Sequence, residues 1–152
     1  EIFKKLIISL DNKNLLIKVH HGSTSNEKKI VNKINSNILV ETTGSFYQYA
    51  KKCEVLICID MSTAILEAML LKKPVLLVLI NDKSSYPEIF RNEYLTITKI
   101  SDLENTLIKI FSDDSYKKSL VKNGERFLDY YLDNIGSSSK KLLDFLEHVK
   151  TN

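Results

Sequence analysis

Two hydrophobic patterns alternate along the first hundred residues of the chain. Short aliphatic runs, typical of buried strands, are separated by segments in which apolar residues recur at helical spacing. The predicted strands are 15–21, 37–42, 54–60, 74–80 and 95–100. The predicted helices are 1–12, 26–35, 45–53, 62–71, 101–111, 115–131 and 137–150, and the loop 84–93 contains about one helical turn.

This alternation predicts βαβ units and therefore a parallel sheet with helices on both faces. The segment EVLICID (54–60) is apolar almost throughout, as in a strand that is buried on both sides. We expect an α/β, doubly wound, mainly parallel sheet of about five strands with a helical C-terminal segment. No linker, internal repeat or low-complexity tract divides the 152 residues, so we expect a single domain, 1–152.

The composition excludes several classes of protein. A hydrophobic content of 43% with 27% charged residues is typical of a globular domain. The longest uncharged apolar run, 74–80, is far shorter than the roughly 20 residues of a membrane-spanning helix. The net charge of +3 comes mainly from scattered lysines, so we expect no nucleic-acid partner. Cys53 and Cys58 lack the spacing of metal or redox pairs, which indicates reduced, buried thiols in a cytoplasmic protein.

Polar residues concentrate where the predicted strands end. In open parallel sheets, ligands bind outside the carboxyl ends of the strands. The four tips are 20–24, 41–44, 60–63 and 81–85, and they hold two of the three histidines and two of the four glycines. The opposite strand ends carry only ordinary solvated residues. The asymmetry predicts that the four tips together form a polar surface, the rim, that accepts anions.

Residues 60–67 give this rim its clearest candidate site. If Ser62 caps the following helix, its hydroxyl and the free N–H groups of the first turn could bind phosphate. Thr63 and Glu67 lie four residues apart and so share a helix face, where the carboxylate could accept hydrogen bonds from the vicinal hydroxyls of a ribose. The alternative is that Thr63 and Glu67 simply form the solvent side of an amphipathic helix.

The tip of the first strand is the second candidate. One of His20 and His21 could contact a diphosphate, while Gly22 would let the backbone approach closely. Neighbouring residues of an extended segment point to opposite sides, so at most one of the two histidines can contact the ligand. The alternative is a surface histidine at a strand end. We expect no metal site and no cofactor. The nucleophilic and phosphate-loop motifs are missing, so the catalytic residues stay unknown, with His20 or His21 as the candidates.

The segments LLIKVHHGSTS, NILV and DMSTAILEAMLLKKPVLLV together resemble the C-terminal half of GT-B-fold glycosyltransferases. The pattern is most similar to capsule, sialic-acid and Kdo-type transferases, with UDP-N-acetylglucosamine 2-epimerases as relatives. Ser62–Thr63, Glu67–Ala68 and Lys73–Pro74–Val75 carry the most specific part of the likeness. The segment ERFLDYYLDNIGSSSKKLLDFL resembles the closing helices of that family.

The resemblance implies a Rossmann-like domain that binds the nucleotide of a sugar donor. Ser62 and Thr63 would contact phosphate, as would His20 with the loop that contains Gly22 and Ser23, and Glu67 would contact the ribose. Three residues depart from the family pattern: His21 in place of Pro, the bulky Met61, and Lys72 in place of Gly.

The resemblance also raises a difficulty with the sheet. In that fold a central strand lies between the first and third predicted strands, whereas residues 1–12 predict a helix. The chain does not begin with Met, so we expect a fragment whose N-terminal acceptor domain is absent. The sheet could have lost that strand, could close without it, or could be completed by another chain. Unpaired edges would favour a homo-oligomer.

We therefore expect part of a cytoplasmic glycosyltransferase of surface-polysaccharide biosynthesis, with a nucleotide-sugar donor as partner and peripheral membrane association allowed through the acceptor. One alternative is half of a sugar-nucleotide 2-epimerase. Another is a non-catalytic or receiver-like module, for which only Asp60, Glu41, Asp82 and Lys83 are candidates.

Overall fold

The computed structural model describes residues 2–10, 14–19, 26–60, 62–82, 85–132 and 135–150. Its strands are β1 (Leu16–Lys18), β2 (Leu39–Glu41), β3 (Leu56–Ile59), β4 (Val75–Val78) and β5 (Ile97–Thr98). Its helices are α1 (Ile2–Ser9), α2 (Asn26–Ile34), α3 (Phe46–Lys52), α4 (Ala64–Leu70), α5 (Leu103–Ser112), α6 (Asp114–Tyr131) and α7 (Ser138–Lys150), with a 3₁₀ helix at Glu88–Arg91. Each predicted strand and helix thus has a counterpart in the α/β structure.

The strands pair in parallel, but they form two sheets instead of one. β1 pairs with β2, and β3, β4 and β5 form a second sheet in that order. Leu56 N–H donates to Pro74 O over 2.9 Å and Asp60 N–H donates to Val78 O over 2.8 Å. Because backbone groups alternate in direction along a parallel strand, those of Ile57 and Ile59 face away from β4. The single five-stranded sheet is therefore not observed, since no described strand pairs with this free edge of β3 and residues 2–9 form a helix.

β4 is the centre of the three-stranded sheet, and it is buried on both sides. Its alternating side chains enter two separate hydrophobic clusters. Val75 and Leu77 pack with residues of α4 and α6. Leu76 and Val78 pack with residues of α1 and α5. Helices therefore cover both faces of this sheet, as the continuous apolar pattern of the central strands predicts.

The two-stranded sheet has a smaller core. Val19, Val31 and Val40 are buried together with Ile7 of α1. Leu16 and Leu39, which face each other in the register of β1 and β2, are 36% and 53% exposed. Only one face of this sheet is well covered by the described residues. Helix α1 links the two halves, because Leu6 and Leu10 enter the cluster of the larger sheet.

Helix α4 ends in a turn whose left-handed residue is Lys72. Lys73 N–H donates to Ala68 O and Lys72 N–H donates to Met69 O, the two bonds of a Schellman motif. Lys72 has a φ of 54°, the left-handed conformation for which glycine is preferred at this position. Lys73 Nζ in turn donates to Cys53 O over 2.8 Å and ties the end of α3 to the turn after α4. Lys72 therefore occupies a backbone position for which glycine would be less strained.

Within the described residues, no helix is both long enough and apolar enough to cross a membrane.

Candidate functional site

The candidate site begins with a sharp change of backbone direction after β3. Asp60 pairs with β4 through its N–H group, yet its φ is 64°. This left-handed conformation costs an L-residue about 1–2 kcal/mol, and Asp is among the few residues that adopt it routinely. The turn lies at the carboxyl edge of the sheet, where ligands bind in open parallel sheets.

The Asp60 carboxylate is itself unusual. Its Oδ1 atom is buried and accepts no hydrogen bond from any described residue. A buried polar atom without a partner costs about 1–3 kcal/mol. Residues that combine such a cost with a strained backbone cluster at functional sites. Sequence reasoning placed Asp60 on the rim but did not select it, because apolar periodicity reports neither a positive φ nor an unpaired oxygen.

Ser62 has an organising role in the turn. Its hydroxyl oxygen accepts a hydrogen bond from Ala64 N–H over 3.2 Å. The thiol of Cys58 donates to Asp60 O over 3.4 Å and so connects β3 to the same turn. The position immediately before α4 belongs to Thr63, whose side chain makes no capping bond. Ser62 therefore performs the expected capping interaction from one residue further upstream.

The first turn of α4 differs from the prediction that its backbone N–H groups are free to donate. Ile65 N–H donates to Ser62 O and Leu66 N–H donates to Thr63 O, in addition to the bond from Ala64 to the Ser62 hydroxyl. These three N–H groups are consequently occupied within the turn, and α4 has only seven residues. These three groups are therefore not free donors, and the predicted phosphate contact of this turn stays a prediction. A phosphate contact here would depend on side-chain hydroxyls.

Thr63 and Glu67 lie on the outer side of α4. Both are exposed, whereas Ile65, Ala68 and Met69 are buried against the core. The shared face that the four-residue spacing predicts is consistent with this burial pattern. The Glu67 carboxylate forms no ion pair or hydrogen bond with the described residues. Both side chains are thus available to a ligand, and the same exposure is compatible with a simple solvent-facing stripe.

The two cysteines behave as structural residues. Burial, followed by the nearby charge of Asp60, raises the pKa of Cys58 from 9.0 to about 11, although the hydrogen bond from Ser62 acts in the opposite direction. Burial likewise raises the pKa of Cys53, which is only partly buried and donates from Sγ to Ala50 O over 3.1 Å. Both thiols are free and stay protonated near neutral pH, so neither is an activated nucleophile.

Other parts of the predicted rim have their own internal contacts. Desolvation and then the carboxylate of Glu41, the last residue of β2, raise the pKa of Tyr49. A Cβ atom at Gly44, whose φ is 82°, would lie 3.0 Å from the Tyr49 hydroxyl. At the end of β4, Asn81 N–H donates to the hydroxyl of Tyr86 over 3.1 Å. These contacts fix the loops beside the candidate site.

Several predicted site residues lie outside the described residues: His20, His21, Gly22 and Ser23 of the first strand tip, Met61, and Lys83–Ser84. Of the predicted binding residues, only Ser62, Thr63 and Glu67 are among the described residues, and the structure adds Asp60 to them. Among the residues that are described, no group of three His, Cys, Asp or Glu side chains could hold a metal ion.

No family model matches the chain, and no curated protein or solved structure is significantly similar to it.

Proposed function

We propose that this chain binds the nucleotide part of a sugar donor, as part of a glycosyltransferase of surface-polysaccharide or glycan biosynthesis. One observation carries the proposal. Ser62, Thr63 and Glu67 follow the parallel strand β3 at its carboxyl edge, and the side chains of Thr63 and Glu67 are exposed and bonded to none of the described residues. Their residue types and their order match the motif that resembles GT-B-fold transferases.

The spacing along α4 suits two neighbouring parts of one nucleotide. Four residues of helix advance by about 6 Å, so the Thr63 hydroxyl and the Glu67 carboxylate can contact different groups of the same ligand. The hydroxyl would donate to a phosphate oxygen, and the carboxylate would accept from the vicinal hydroxyls of the ribose. Ser62 holds the turn that presents both groups.

Asp60 has the wrong charge for a phosphate contact, so we assign it a different partner. Its Oδ1 atom accepts no hydrogen bond from the described residues, and we propose that it accepts one from a hydroxyl of the transferred sugar. The strained backbone at Asp60 would then be the cost of aiming this acceptor into the site. The contribution of the chain to the reaction rate would be electrostatic, through hydrogen bonds to the departing phosphate.

We also propose how the two sheets are related. We interpret the two parallel sheets as parts of one doubly wound, Rossmann-like sheet, because α1 packs into the cores of both. The base and the acceptor would be bound by a separate N-terminal domain, and the complete enzyme would act in the cytoplasm. The glycosyl transfer itself can be inverting or retaining.

The test is an isotope-edited NMR titration of the chain with UDP, CMP, CDP and GDP. We expect one of these nucleotides to shift the amide signals of Ser62, Thr63 and Glu67 in a saturable manner, and Glu67→Ala to weaken the response. Glu104 provides a matched control, because it is an exposed glutamate in the first turn of a different helix, α5. No shift at millimolar concentration of any nucleotide, or equal losses for Glu67→Ala and Glu104→Ala, would refute the proposal.

A further inference from the structure

A second concave surface lies apart from Ser62, Thr63 and Glu67. Between the 3₁₀ helix and α6, a cleft of about 300 Å³ is lined by Glu88, Arg91, Asn92 and Tyr130. This volume is at the lower end of the range for small-molecule sites. None of the four residues belongs to the site described above, so the inference does not depend on the proposed function.

The walls of this cleft are held by the core. Ile89 and Phe90 of the 3₁₀ helix pack against the cluster that contains Phe127 and Leu128 of α6. Asn92 also fixes the loop, because its Oδ1 atom accepts a hydrogen bond from Tyr94 N–H over 2.8 Å. The cleft therefore joins two elements that share one hydrophobic core. The backbone that carries the lining residues is therefore packed against the hydrophobic core.

Glu88 and Arg91 have opposite charges but do not pair. Residues three apart in a 3₁₀ helix lie on the same side, so the two side chains are neighbours. Neither side chain makes an ion pair or a hydrogen bond with the described residues. The cleft thus presents a carboxylate that accepts and a guanidinium that donates, side by side, with no net charge between them.

Two further groups complete the surface. The Oδ1 atom of Asn92 is occupied by Tyr94, which leaves the amide N–H₂ group as a donor. Tyr130 is 65% exposed, and its ring offers an apolar face beside the three planar polar groups. Balanced donors and acceptors next to an exposed ring suit a ligand whose neighbouring hydroxyls both donate and accept and whose ring carries an apolar C–H face.

We propose that the cleft of Glu88, Arg91, Asn92 and Tyr130 binds a neutral saccharide of one or two sugar units. The ring of Tyr130 stacks on the C–H face of the sugar, Glu88 accepts from its hydroxyls, and Arg91 and Asn92 donate to them. An anion is disfavoured because, among the described lining residues, the Glu88 carboxylate lies beside the single cation, Arg91. A cation is disfavoured by Arg91 for the same reason.

The two arginines of the chain provide a direct probe. Arg91 lines the cleft, whereas Arg126 lies over the ring of Tyr94, 5.9 Å from its centroid, and does not line it. The arginine Nε–Hε region of a ¹H–¹⁵N spectrum therefore contains one reporter and one internal control. We expect methyl glycosides and disaccharides of glucose, galactose or N-acetylglucosamine to shift the Arg91 signal in a saturable manner and by more than they shift the signal of Arg126, which lies one helical turn from Tyr130.

Tyr130→Ala should weaken this binding by about tenfold, in keeping with the loss of one aromatic contact. The matched control is Tyr47→Ala, which removes a tyrosine that is 49% exposed on α3. The dispersed amide spectrum of each variant reports that it is folded. The proposal is overturned if no saccharide shifts Arg91 at millimolar concentration, if both tyrosine variants lose binding equally, or if inorganic phosphate shifts Arg91 and the saccharides do not.

Discussion

The two sheets of this protein are built from strands of the same direction but differ in how they are buried. In the three-stranded sheet, every residue of β4 is buried and helices cover both faces. In the two-stranded sheet, one cluster of buried residues covers one face, while Leu16 and Leu39 are exposed. A parallel sheet is stable when both of its faces are covered, so the three-stranded half is expected to supply most of the stability.

The difference has a functional consequence. The residues Asp60, Ser62, Thr63 and Glu67 all follow β3 and therefore belong to the better-buried half. The strain at Asp60 requires surroundings that hold it in place, and β4 and α4 supply them. The predicted contribution of the other half, through His20 and Gly22, comes from a strand with a smaller core. The comparison can be tested by substitutions in each half.

The largest expected effect is the loss of a central side chain. Leu77→Ala in β4, at a residue that is 1% exposed, should lower the free energy of unfolding by about 2–5 kcal/mol because it leaves a cavity. Leu39→Ala in β2, at a residue that is 53% exposed, should cost less than about 1 kcal/mol. Urea denaturation measures both values. Equal costs would contradict the difference between the two halves.

The next effect depends on pH and on Cys58. Its pKa is raised to about 11 in the folded protein, against 9.0 without the fold, so the unfolded state loses its proton first as the pH rises. Stability conferred by the protonated thiol is therefore present below pH 9 and is lost from pH 9 to 11, at a slope of up to about 1.4 kcal/mol per pH unit. Cys58→Ala should lack this part of the alkaline slope in denaturation curves. An identical slope in both proteins would show that the thiol is not held in a desolvating site.

The smallest effect concerns the left-handed residue after α4. Lys72→Gly should stabilise the protein by about 1 kcal/mol, because glycine adopts a φ of 54° without strain. Lys72 also forms an exposed ion pair with Glu125 over 3.2 Å, and its loss has little effect. Lys72→Ala is the control that removes the ion pair and retains the strained backbone. If thermal denaturation shows the two variants to be equally stable, backbone strain at this position is not significant.

Most of the local structure could be predicted from the sequence. The helical spacing and the aliphatic runs place each helix and strand to within a few residues, because those patterns depend on local burial. The division into two sheets could not be predicted in this way, since pairing depends on which strands meet across the fold. A helix at residues 1–12 in place of a central strand was the only hint of an unpaired edge in the sequence.

The candidate site was predictable to a smaller extent. The shared face of Thr63 and Glu67 follows from helical periodicity. The capping interaction of Ser62 is likewise predicted by its residue type before a helix. The positive φ of Asp60 and the occupied N–H groups of the first turn depend on the geometry of one turn. The cleft at Arg91 and Tyr130 joins residues 39 positions apart, and no local pattern relates them.

The most direct test of the central claim compares two ligands that differ only in the nucleoside. Calorimetry would measure the affinities of inorganic diphosphate and of the nucleoside diphosphate that binds best, for the wild type, Thr63→Val and Glu67→Gln. The account predicts that Thr63→Val weakens the binding of both ligands, and that Glu67→Gln weakens only the nucleoside diphosphate, because inorganic diphosphate has no ribose. If Glu67→Gln strengthens both ligands equally, Glu67 acts only as a surface charge and the assignment of the site is wrong.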